Sequence, residues 1–305
     1  MSRRPVGIID VGSNSIKLLI AERSSKGLIS SVLFEVEETR IGEGMTGLPP
    51  RIEASAIEKG TQAIARLHDL AKTHDLLSLR IVATSAVRDA LNREAFIESV
   101  KDATGLELET LSGDQEARLI GKGLQCDPGL SHLSSYSLLD LGGGSMECIL
   151  FKDGIVTSAN SFNLGAVRLA SKFISDRYRA LAASEAQAIR NHVAELFTDA
   201  NIEANASPST VAVLTGGTAS ILAARQGDFQ NRISFAQLNA FRMEVCSLSE
   251  PERVTQMKVP ESRADIFPAA TTVLCAALDH LGCDDLHFSP YNLRYGLVSE
   301  MIEQQ

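Results

Sequence analysis

The chain has 305 residues, more than one hydrophobic core usually serves, so two domains of ordinary size are expected. Hydrophobic content of 44% and charged content of 22% are typical of globular proteins and exclude a mainly disordered chain. A net charge of −9 argues against general nucleic-acid binding. The longest strongly apolar stretch, Ile266 to Leu278, is too short to cross a bilayer, so no membrane association is expected.

The cysteines and histidines indicate the cellular compartment and the kind of metal site to expect. The five cysteines form an odd set without a CxxC pair, and most lie among apolar neighbours, which is typical of a reduced, cytoplasmic protein. The six histidines show no HExxH or similar ligand spacing. A zinc site is therefore disfavoured.

The first part of the chain alternates strand and helix patterns. The patterns predict strands at 6–11, 15–21, 28–37, 79–83 and 107–111, with helices at about 51–74 and from Asn92 to near Gly105. The first three strands are joined by turn-prone segments and form a meander that opens a sheet.

A capping box marks the next helix. Ser112 is followed three residues later by Gln115, a spacing in which each side chain satisfies a backbone N–H of the other. A helix is expected to begin here. Glu116 then lies in its first turn, near the positive end of the helix dipole.

The second part restarts with strands and continues with helices. Strands are predicted at 136–141, 145–151, 155–160, 211–214 and 285–289, and helices at 164 to about 179, 184 to about 205, after 215, and 292–303. The helix from Ser184 is assigned a second capping box, with Gln187 as its partner.

The strand patterns imply an internal duplication. DVGSNSIKLLI, from Asp10, and DLGGGSMECIL, from Asp140, share one layout of aspartate, small-residue turn and strand. Two lobes of similar topology are expected. We place the first lobe at residues 1–125 and the second at 126–289, with a final helix at about 290–305 that could pack back on the first lobe.

Two aspartates, each before a small-residue turn, suit a phosphate chain. Glycines let backbone N–H groups approach an anion, hydroxyls add donors, and carboxylates hold Mg²⁺ directly or through water. A lone aspartate of this kind would more often cap a turn, whereas the pair favours a function. The predicted phosphate-binding residues are Gly12, Ser13, Asn14 and Ser15 after Asp10, and Gly142, Gly143, Gly144 and Ser145 after Asp140.

A third small-residue segment, TGGTAS, leads from a predicted strand into a helix. The free N–H groups at such a helix start favour phosphate. The segment fits a phosphate site at Gly216, Gly217 and Thr218, and it fits a tight glycine turn equally well.

These segments carry a resemblance to a known family. IIDVGSNSIKLLI, VATSAVRDA, LSGDQEARLIGKG, LLDLGGGSMECIL, NLGAVRLA and LTGGTAS resemble, in this order, the exopolyphosphatase and guanosine pentaphosphate phosphohydrolase family. The likeness covers most of residues 5–225. It implies an α/β fold of the actin-like, ribonuclease H-like class, with two lobes, duplicated mixed sheets, flanking helices and a cleft between the lobes.

The resemblance also implies residue roles. Glu116 matches the catalytic base, Arg88 the arginine on the phosphate to be cleaved, and Glu147 an acid of the metal site. Asp10, Asp140 and Glu147 would hold Mg²⁺ or Mn²⁺. Arg168 could touch the phosphate chain or pair with a nearby acid.

Structural alternatives stand beside three of these roles. Glu116 could be a surface acid that compensates the helix dipole, and Glu147 an outward-facing strand residue. Arg88 could form a salt bridge with Asp89 or Glu94.

The chain departs from the family pattern in three places. Gln115 stands where the family has an acid, although glutamine keeps the capping box. The segment Ser289 to Gly296 replaces a DRGLREG-like segment, which puts substrate contacts from there in doubt. The chain ends at Gln305, so the C-terminal domain of longer relatives is not expected.

Three functions compete. The leading one is an enzyme, an exopolyphosphatase that releases terminal phosphate from inorganic polyphosphate, with guanosine pentaphosphate as the alternative substrate. A phosphotransferase of the same superfamily and a non-catalytic sensor of alarmone or polyphosphate are the others. Apart from its substrate no partner is indicated, neither nucleic acid nor membrane, and a homodimer is left open.

Overall fold

A computed structural model describes residues 4–45, 49–226 and 232–304, with the backbone alone at residue 226. The chain divides into two compact units. Unit 1 comprises Met1–Pro128 and Tyr291–Gln305, and unit 2 comprises Gly129–Pro290. The final helix thus belongs to unit 1.

Each unit is built on one mixed sheet, and the strands are numbered in chain order. Those of unit 1 are β1 (Val6–Val11), β2 (Ile16–Arg23), β3 (Ile29–Glu37), β4 (Ser78–Ala83) and β5 (Leu108–Thr110). Those of unit 2 are β6 (Tyr136–Leu141), β7 (Met146–Lys152), β8 (Ile155–Phe162), β9 (Val211–Thr215), β10 (Arg232–Ser234) and β11 (Asp285–Phe288).

Helices flank both sheets. The helices are α1 (Ala54–Lys72), α2 (Ser85–Asp89), α3 (Arg93–Thr104), α4 (Gly113–Leu124), α5 (Ala166–Phe173), α6 (Ala183–Asp199), α7 (Gly216–Gln226), α8 (Phe235–Ser247), α9 (Glu250–Thr255), α10 (Glu261–Ala264), α11 (Phe267–Leu281) and α12 (Leu293–Glu303). A short 3₁₀ turn spans Pro128–Leu130.

The two sheets repeat one topology. Unit 1 has the strand order β3-β2-β1-β4-β5, and within unit 2 the run β8-β7-β6-β9-β11 matches it, with β10 added at the edge. In both units the first strand pairs antiparallel with the second and parallel with a later one. Even the register shift recurs, between Ile20 and Ala21 in β2 and between Leu150 and Phe151 in β7. The predicted duplication is confirmed.

Buried central strands position both predicted turns. Every residue of β1 and of β6 is buried, because helices cover one face and further elements of the same unit cover the other. In unit 1 the residues of β1 pack with Ile64 of α1 and Phe96 of α3 in one apolar cluster. The turn after each strand is therefore held by a rigid frame.

The structure corrects both predicted helices that follow β8. Helix α5 ends at Phe173 instead of near Arg179, where the Tyr178 N–H bonds the Asp176 carboxylate at 2.9 Å in a local turn. Helix α6 ends at Asp199 instead of near Asn205. The backbone of Asn205 has a positive φ of 59°, which a helix does not contain.

The predicted capping box of Ser184 and Gln187 is wrong. Helix α6 begins one residue earlier, at Ala183, and the Glu185 carboxylate accepts the N–H of Ala182 at 3.1 Å. Gln187 bonds Asn191 instead. The box of Ser112 and Gln115 is confirmed, with both of its hydrogen bonds present.

Some short elements were not predicted, and one cap acts differently. Helix α2 and strand β10, for example, are too short for a periodic pattern to indicate them. Asn92 does precede α3, but its amide exchanges hydrogen bonds with the backbone of Ile52 instead of capping the helix.

The apolar stretch from Ile266 to Leu278 forms most of α11, whose residues are buried in the core of unit 2. Within the described ranges no helix is both long and apolar enough to cross a membrane.

Candidate functional site

The first turn, Gly12 to Ser15, links β1 to β2. The Gly12 N–H donates to the Ser15 carbonyl at 3.2 Å, which closes the turn directly after the buried carboxylate of Asp10. Ser13, Asn14 and Ser15 are buried as well. Among the residues that the structure describes, none bonds Asn14 Oδ1 or Ser15 Oγ, so buried polar groups at this turn can still bind a ligand.

A loop and a helix hold the first turn in place. The N–H groups of Arg40 and Gly42 donate to the carbonyls of Asn14 and Ser13, both at 2.9 Å. The Asn14 amide also donates to Glu38 at 2.6 Å. On the other side the hydroxyls of Ser13 and Ser85 share a buried 3.0 Å hydrogen bond, which ties the turn to α2.

Helix α2 carries Arg88 to Glu116. The Arg88 guanidinium donates to the Glu116 carboxylate at 2.7 Å, and Glu116 is only 5% exposed in the first turn of α4. Arg88 also forms the salt bridge with Asp89 that the structural alternative expects, at 3.5 Å, whereas Glu94 pairs with Arg93. Glu116 is thus a buried acid with a cationic partner, which excludes the alternative of a surface acid.

Asp10 also has a cationic partner. Arg294, in the first turn of α12, donates to the Asp10 carboxylate at 2.7 Å, and both side chains are buried. Helix α12 in turn packs on α4, the helix of Glu116. Two paths of contacts therefore lead from the first turn to α4. One passes through Ser13, Ser85 and Arg88 to Glu116 at its start. The other passes through Asp10 and Arg294 to its second half, where Gly123 contacts Asn292.

The second turn, Gly142 to Ser145, repeats the first in unit 2. The Gly142 N–H donates to the Ser145 carbonyl at 3.0 Å, and the buried carboxylate of Asp140 precedes the turn. Gly144 accepts the Arg168 Nε–H on its carbonyl at 2.8 Å. Arg168 therefore binds the backbone of the turn itself.

Helix α5 begins against the second turn. The N–H groups of Ala166 and Val167 donate to the carbonyls of Gly142 and Gly143 at 3.0 and 2.9 Å. A β-carbon at Gly165 would collide with the backbone of the turn, so glycine allows this close approach. The first N–H groups of α5 thus bond the carbonyls of the turn and fix its shape.

Asp140 lies directly opposite Glu147 across β6 and β7. Residues directly opposite one another on paired antiparallel strands project to the same face, so two carboxylates are adjacent there. The Ser161 hydroxyl on β8 donates to Glu147 at 2.7 Å, and Glu147 is buried. The alternative of an outward-facing strand residue is thereby excluded.

The third segment continues from β9 into α7, beside Asp140. Gly216 has a φ of +92°, and a β-carbon there would lie 2.6 Å from Asp140 Oδ1. At Gly217 a β-carbon would collide with the guanidinium of Arg263. A cationic side chain thus lies against the positive start of a helix, an arrangement that an anion would stabilise. The sequence suggested two interpretations of TGGTAS, a tight glycine turn and a phosphate-binding helix start, and Gly216 fits both. Thr218 is buried.

Asp140 and Glu147 suit a hard divalent cation. Mg²⁺ prefers oxygen ligands and usually takes only one or two carboxylates, with water and substrate phosphates completing its shell. Among the described residues no group of three or more His, Cys, Asp or Glu side chains could hold a metal. The adjacent pair on β6 and β7 fits the smaller requirement of Mg²⁺. The metal roles of Asp10, Asp140 and Glu147 stay predictions.

The sequence did not single out Arg263 or Arg294. Each lies in a short segment that follows the main resemblance, ESRAD and LRYG. Arginine within such a segment is a usable signal, because a guanidinium suits carboxylate and phosphate oxygens alike. The positions of both side chains depend on contacts with residues far away in the chain.

Comparisons with known proteins show the family and the fold of the chain. The model of the Ppx/GppA phosphatase family matches residues 19–305. The Aquifex aeolicus member of that family is 26% identical over 99% of both chains, with a TM-score of 0.80. An exopolyphosphatase from Cytophaga hutchinsonii covers 99% of this chain and 98% of its own, at 22% identity and a TM-score of 0.88.

A further exopolyphosphatase-like protein is 24% identical, with a TM-score of 0.86 and coverage of 99% of this chain and 98% of its own. The fold class is confirmed as the duplicated actin-like arrangement of mixed sheets with flanking helices. From the family match, the paired turns and the buried acid on α4, the chain belongs to the Ppx/GppA phosphatase family, and its class of activity is that of a phosphoanhydride hydrolase.

Proposed function

We propose that the chain is an exopolyphosphatase, which releases the terminal phosphate of inorganic polyphosphate with Glu116 as the group that activates water. The observation that supports this most is the buried 2.7 Å pair of Arg88 and Glu116. Hydrolysis of a phosphoanhydride has a loose transition state, so the protein needs mainly positioning, positive charge and one base. This pair combines a base with a phosphate-binding cation.

Arg88 and Glu116 would act in sequence. The fork of a guanidinium fits the oxygens of a terminal phosphate, and these oxygens compete with the Glu116 carboxylate for Arg88. Glu116 then accepts a proton from the attacking water. The water oxygen bonds to the terminal phosphorus as the bridging P–O bond breaks, and the shortened chain leaves with the bridging oxygen.

The small-residue turn of each unit would offer hydrogen-bond donors to phosphate oxygens. In unit 1 these donors are the backbone N–H groups of Ser13, Asn14 and Ser15 and the hydroxyls of Ser13 and Ser15. In unit 2 they are Gly142 to Ser145 and the start of α7 at Gly216, Gly217 and Thr218, with Arg263 alongside. Arg168 supports the second turn by its bond to Gly144 and adds positive charge there.

Asp140 and Glu147 would hold Mg²⁺ or Mn²⁺. When bound, such a cation neutralises charge on the phosphate oxygens. The chain places the two carboxylates on one sheet face. The hydrogen bond from Ser161 orients Glu147, and the lack of a side chain at Gly216 leaves room for Asp140.

A phosphate-release assay with polyphosphate and Mg²⁺ tests the proposal. Glu116→Gln keeps size and removes the base, so kcat should fall by roughly 10²- to 10⁴-fold. Asp114→Asn is the matched control, because Asp114 is an exposed acid in the same helical turn. Equal rates in wild type and Glu116→Gln, or tight polyphosphate binding without any release, would overturn the proposal.

Guanosine pentaphosphate is the second candidate substrate. A pocket of about 560 Å³ adjoins the first turn, because one of its lining residues, Glu38, bonds Asn14. Its size is that of a pocket for a small ligand, and carboxylates such as Glu53 can accept the N–H groups of a guanine edge. Comparing kcat/KM for the two substrates ranks them, and Glu53→Gln should lower only the value for guanosine pentaphosphate.

A further inference from the structure

Asp10, the aspartate before the first turn, forms a buried ion pair with Arg294. Arg294 donates to Asp10 at 2.7 Å, and the side chains of Arg294 and Asp10 are only 10% and 8% exposed. Within the described part of the chain the Nε of Arg294 is buried without a hydrogen-bond partner, and its guanidinium lies 5.3 Å from the ring centre of Phe34. A buried guanidinium of this kind needs its carboxylate, since an uncompensated buried charge is strongly unfavourable.

The residue across the strand also differs. Asp10 is paired in register with Lys17 on β2, whereas Asp140 is paired with Glu147 on β7. Directly opposite residues share a sheet face, so Lys17 is a second cationic neighbour of Asp10, and Glu147 adds a second carboxylate beside Asp140. The two cations beside Asp10 repel a divalent cation, whereas paired carboxylates attract one.

Helix α12 fixes the position of Arg294. Its Gly296 lies so close to α4 that a β-carbon would collide with the carbonyl of Leu119, and one at Gly123 would collide with the carbonyl of Asn292. Backbones in such close contact leave no room for sliding. Arg294 is therefore placed by the same helix, α4, that carries Glu116.

We propose that Asp10 is the fixed counter-ion of Arg294 and not a ligand of the divalent metal, and that Arg294 is a positioning residue. Through this pair α12 holds the end of β1, and with it the first turn, in a set position relative to α4. The inference rests on the proposed function only in assigning the metal to Asp140 and Glu147.

Binding of Mn²⁺, followed by electron paramagnetic resonance without substrate, tests the assignment. Wild type should bind one Mn²⁺ per chain. Asp140→Asn should weaken this binding by at least tenfold, whereas Asp10→Asn should leave it within about twofold. Equal weakening by the two variants would overturn the proposal.

Removing the cations beside Asp10 provides the converse test. Because Lys17 stays opposite Asp10 in Arg294→Met, Lys17→Met is added to it. Arg294→Met with Lys17→Met should bind a second Mn²⁺, whereas the double variant Asp10→Asn with Arg294→Met should bind one. Arg294→Lys should keep a single Mn²⁺ and most of the kcat that Arg294→Met loses. A single Mn²⁺ in Arg294→Met with Lys17→Met would contradict the idea that these two cations keep metal from Asp10.

The charge-balanced double variant and Asp10→Asn keep the test decisive if Arg294→Met does not fold. A merely structural role for Arg294 would lower thermal stability without changing the number of bound ions. Absence of phosphate release in wild type would contradict the proposed function, but the Mn²⁺ binding of the variants could still be compared. Failure of the proposed function and failure of the Asp10 assignment are therefore distinguishable.

Discussion

Residues 10–17 of unit 1 and residues 140–147 of unit 2 have one backbone design and opposite electrostatics. In both, an aspartate near the end of a buried strand precedes a turn closed by a hydrogen bond from glycine N–H to serine carbonyl. Across the strand lies Lys17 in one case and Glu147 in the other. The backbone follows from glycine, serine and strand pairing, whereas we propose that the facing side chain and Arg294 decide which ligand each turn prefers.

Making the second turn resemble the first should have the largest effect. Glu147→Lys places a cation opposite Asp140, as Lys17 lies opposite Asp10, and phosphate release should fall by roughly 100-fold or more. Mn²⁺ binding to the free protein should be lost as well. Glu147→Gln, which removes the charge without reversing it, should lie between. Full Mg²⁺-dependent activity in Glu147→Lys would show that the facing residue does not decide where metal binds.

A substitution beside Asp140 tests the second turn by geometry instead of charge. Gly216→Ala adds a β-carbon 2.6 Å from Asp140 Oδ1 at a φ of +92°, so it should lower phosphate release by roughly 10- to 100-fold. Gly154→Ala is the control, because Gly154 has a φ of +78° and open space around it.

Both alanine variants should lose about 1–2 kcal/mol of stability from the left-handed backbone, and Gly216→Ala should lose more because its β-carbon also lies 2.6 Å from the Leu141 carbonyl oxygen. Thermal unfolding of Gly154→Ala measures the cost of the backbone alone, and phosphate release of the two variants compares their effects on the site. If the two variants lost activity equally, the displaced carboxylate would not be the cause.

Local signals explain why the sequence predicted so much of both turns. Apolar strand runs, small-residue turns and the box of Ser112 and Gln115 depend on residues within a few positions of one another. Strands β1 and β6 and this box appear as predicted. The cap of α6 shows that a local sequence pattern is not always sufficient to predict a helix start. Ser184 with Gln187 and Ala182 with Glu185 both have the three-residue spacing, and Ser175 and Arg179 favour the second by bonding Glu185.

The remaining site features depend on distant partners. Arg294 and Asp10 are 284 positions apart, and the close contact of α12 with α4 requires glycines in segments that are separate in sequence. Arg88 and Glu116 were each proposed from the resemblance, but their ion pair appears only in the structure. Periodicity and caps carry no information on such contacts.

The two units should also differ in their response to acid. Burial tends to raise the pKa of Glu185, but hydrogen bonds from Ser175, Ala182 and Arg179 outweigh it and lower the pKa to about 2. In unit 1 the bond from Arg66 lowers the pKa of the more exposed Glu37. A depressed acid pKa stabilises the folded state above the unfolded value near 4.5, and this contribution is lost as pH falls toward 2.

Glu185→Gln should therefore cost about 1–3 kcal/mol at pH 7 and almost nothing near pH 2. Glu37→Gln should cost less at every pH, since its ion pair is solvent-exposed. Hydrogen exchange of α6 and of β3, measured between pH 7 and pH 3, reports on the two units separately. A larger acid-dependent change in β3 than in α6 would reverse this ranking.

The smallest expected effect concerns the hydroxyl pair that ties the first turn to Arg88. Ser85→Ala removes the 3.0 Å bond to Ser13, which is worth about 1 kcal/mol, so KM for polyphosphate should rise by roughly fivefold with kcat less affected. Ser99→Ala is matched to it, because Ser99 shares a similar 2.9 Å bond with Thr61 in unit 1, between α1 and α3. If both variants changed stability alike and only Ser85→Ala changed KM, the hydrogen bond would contribute to phosphate binding. If KM were unchanged in Ser85→Ala, the hydrogen bonds from Gly42 and Arg40 alone would keep the shape of the first turn.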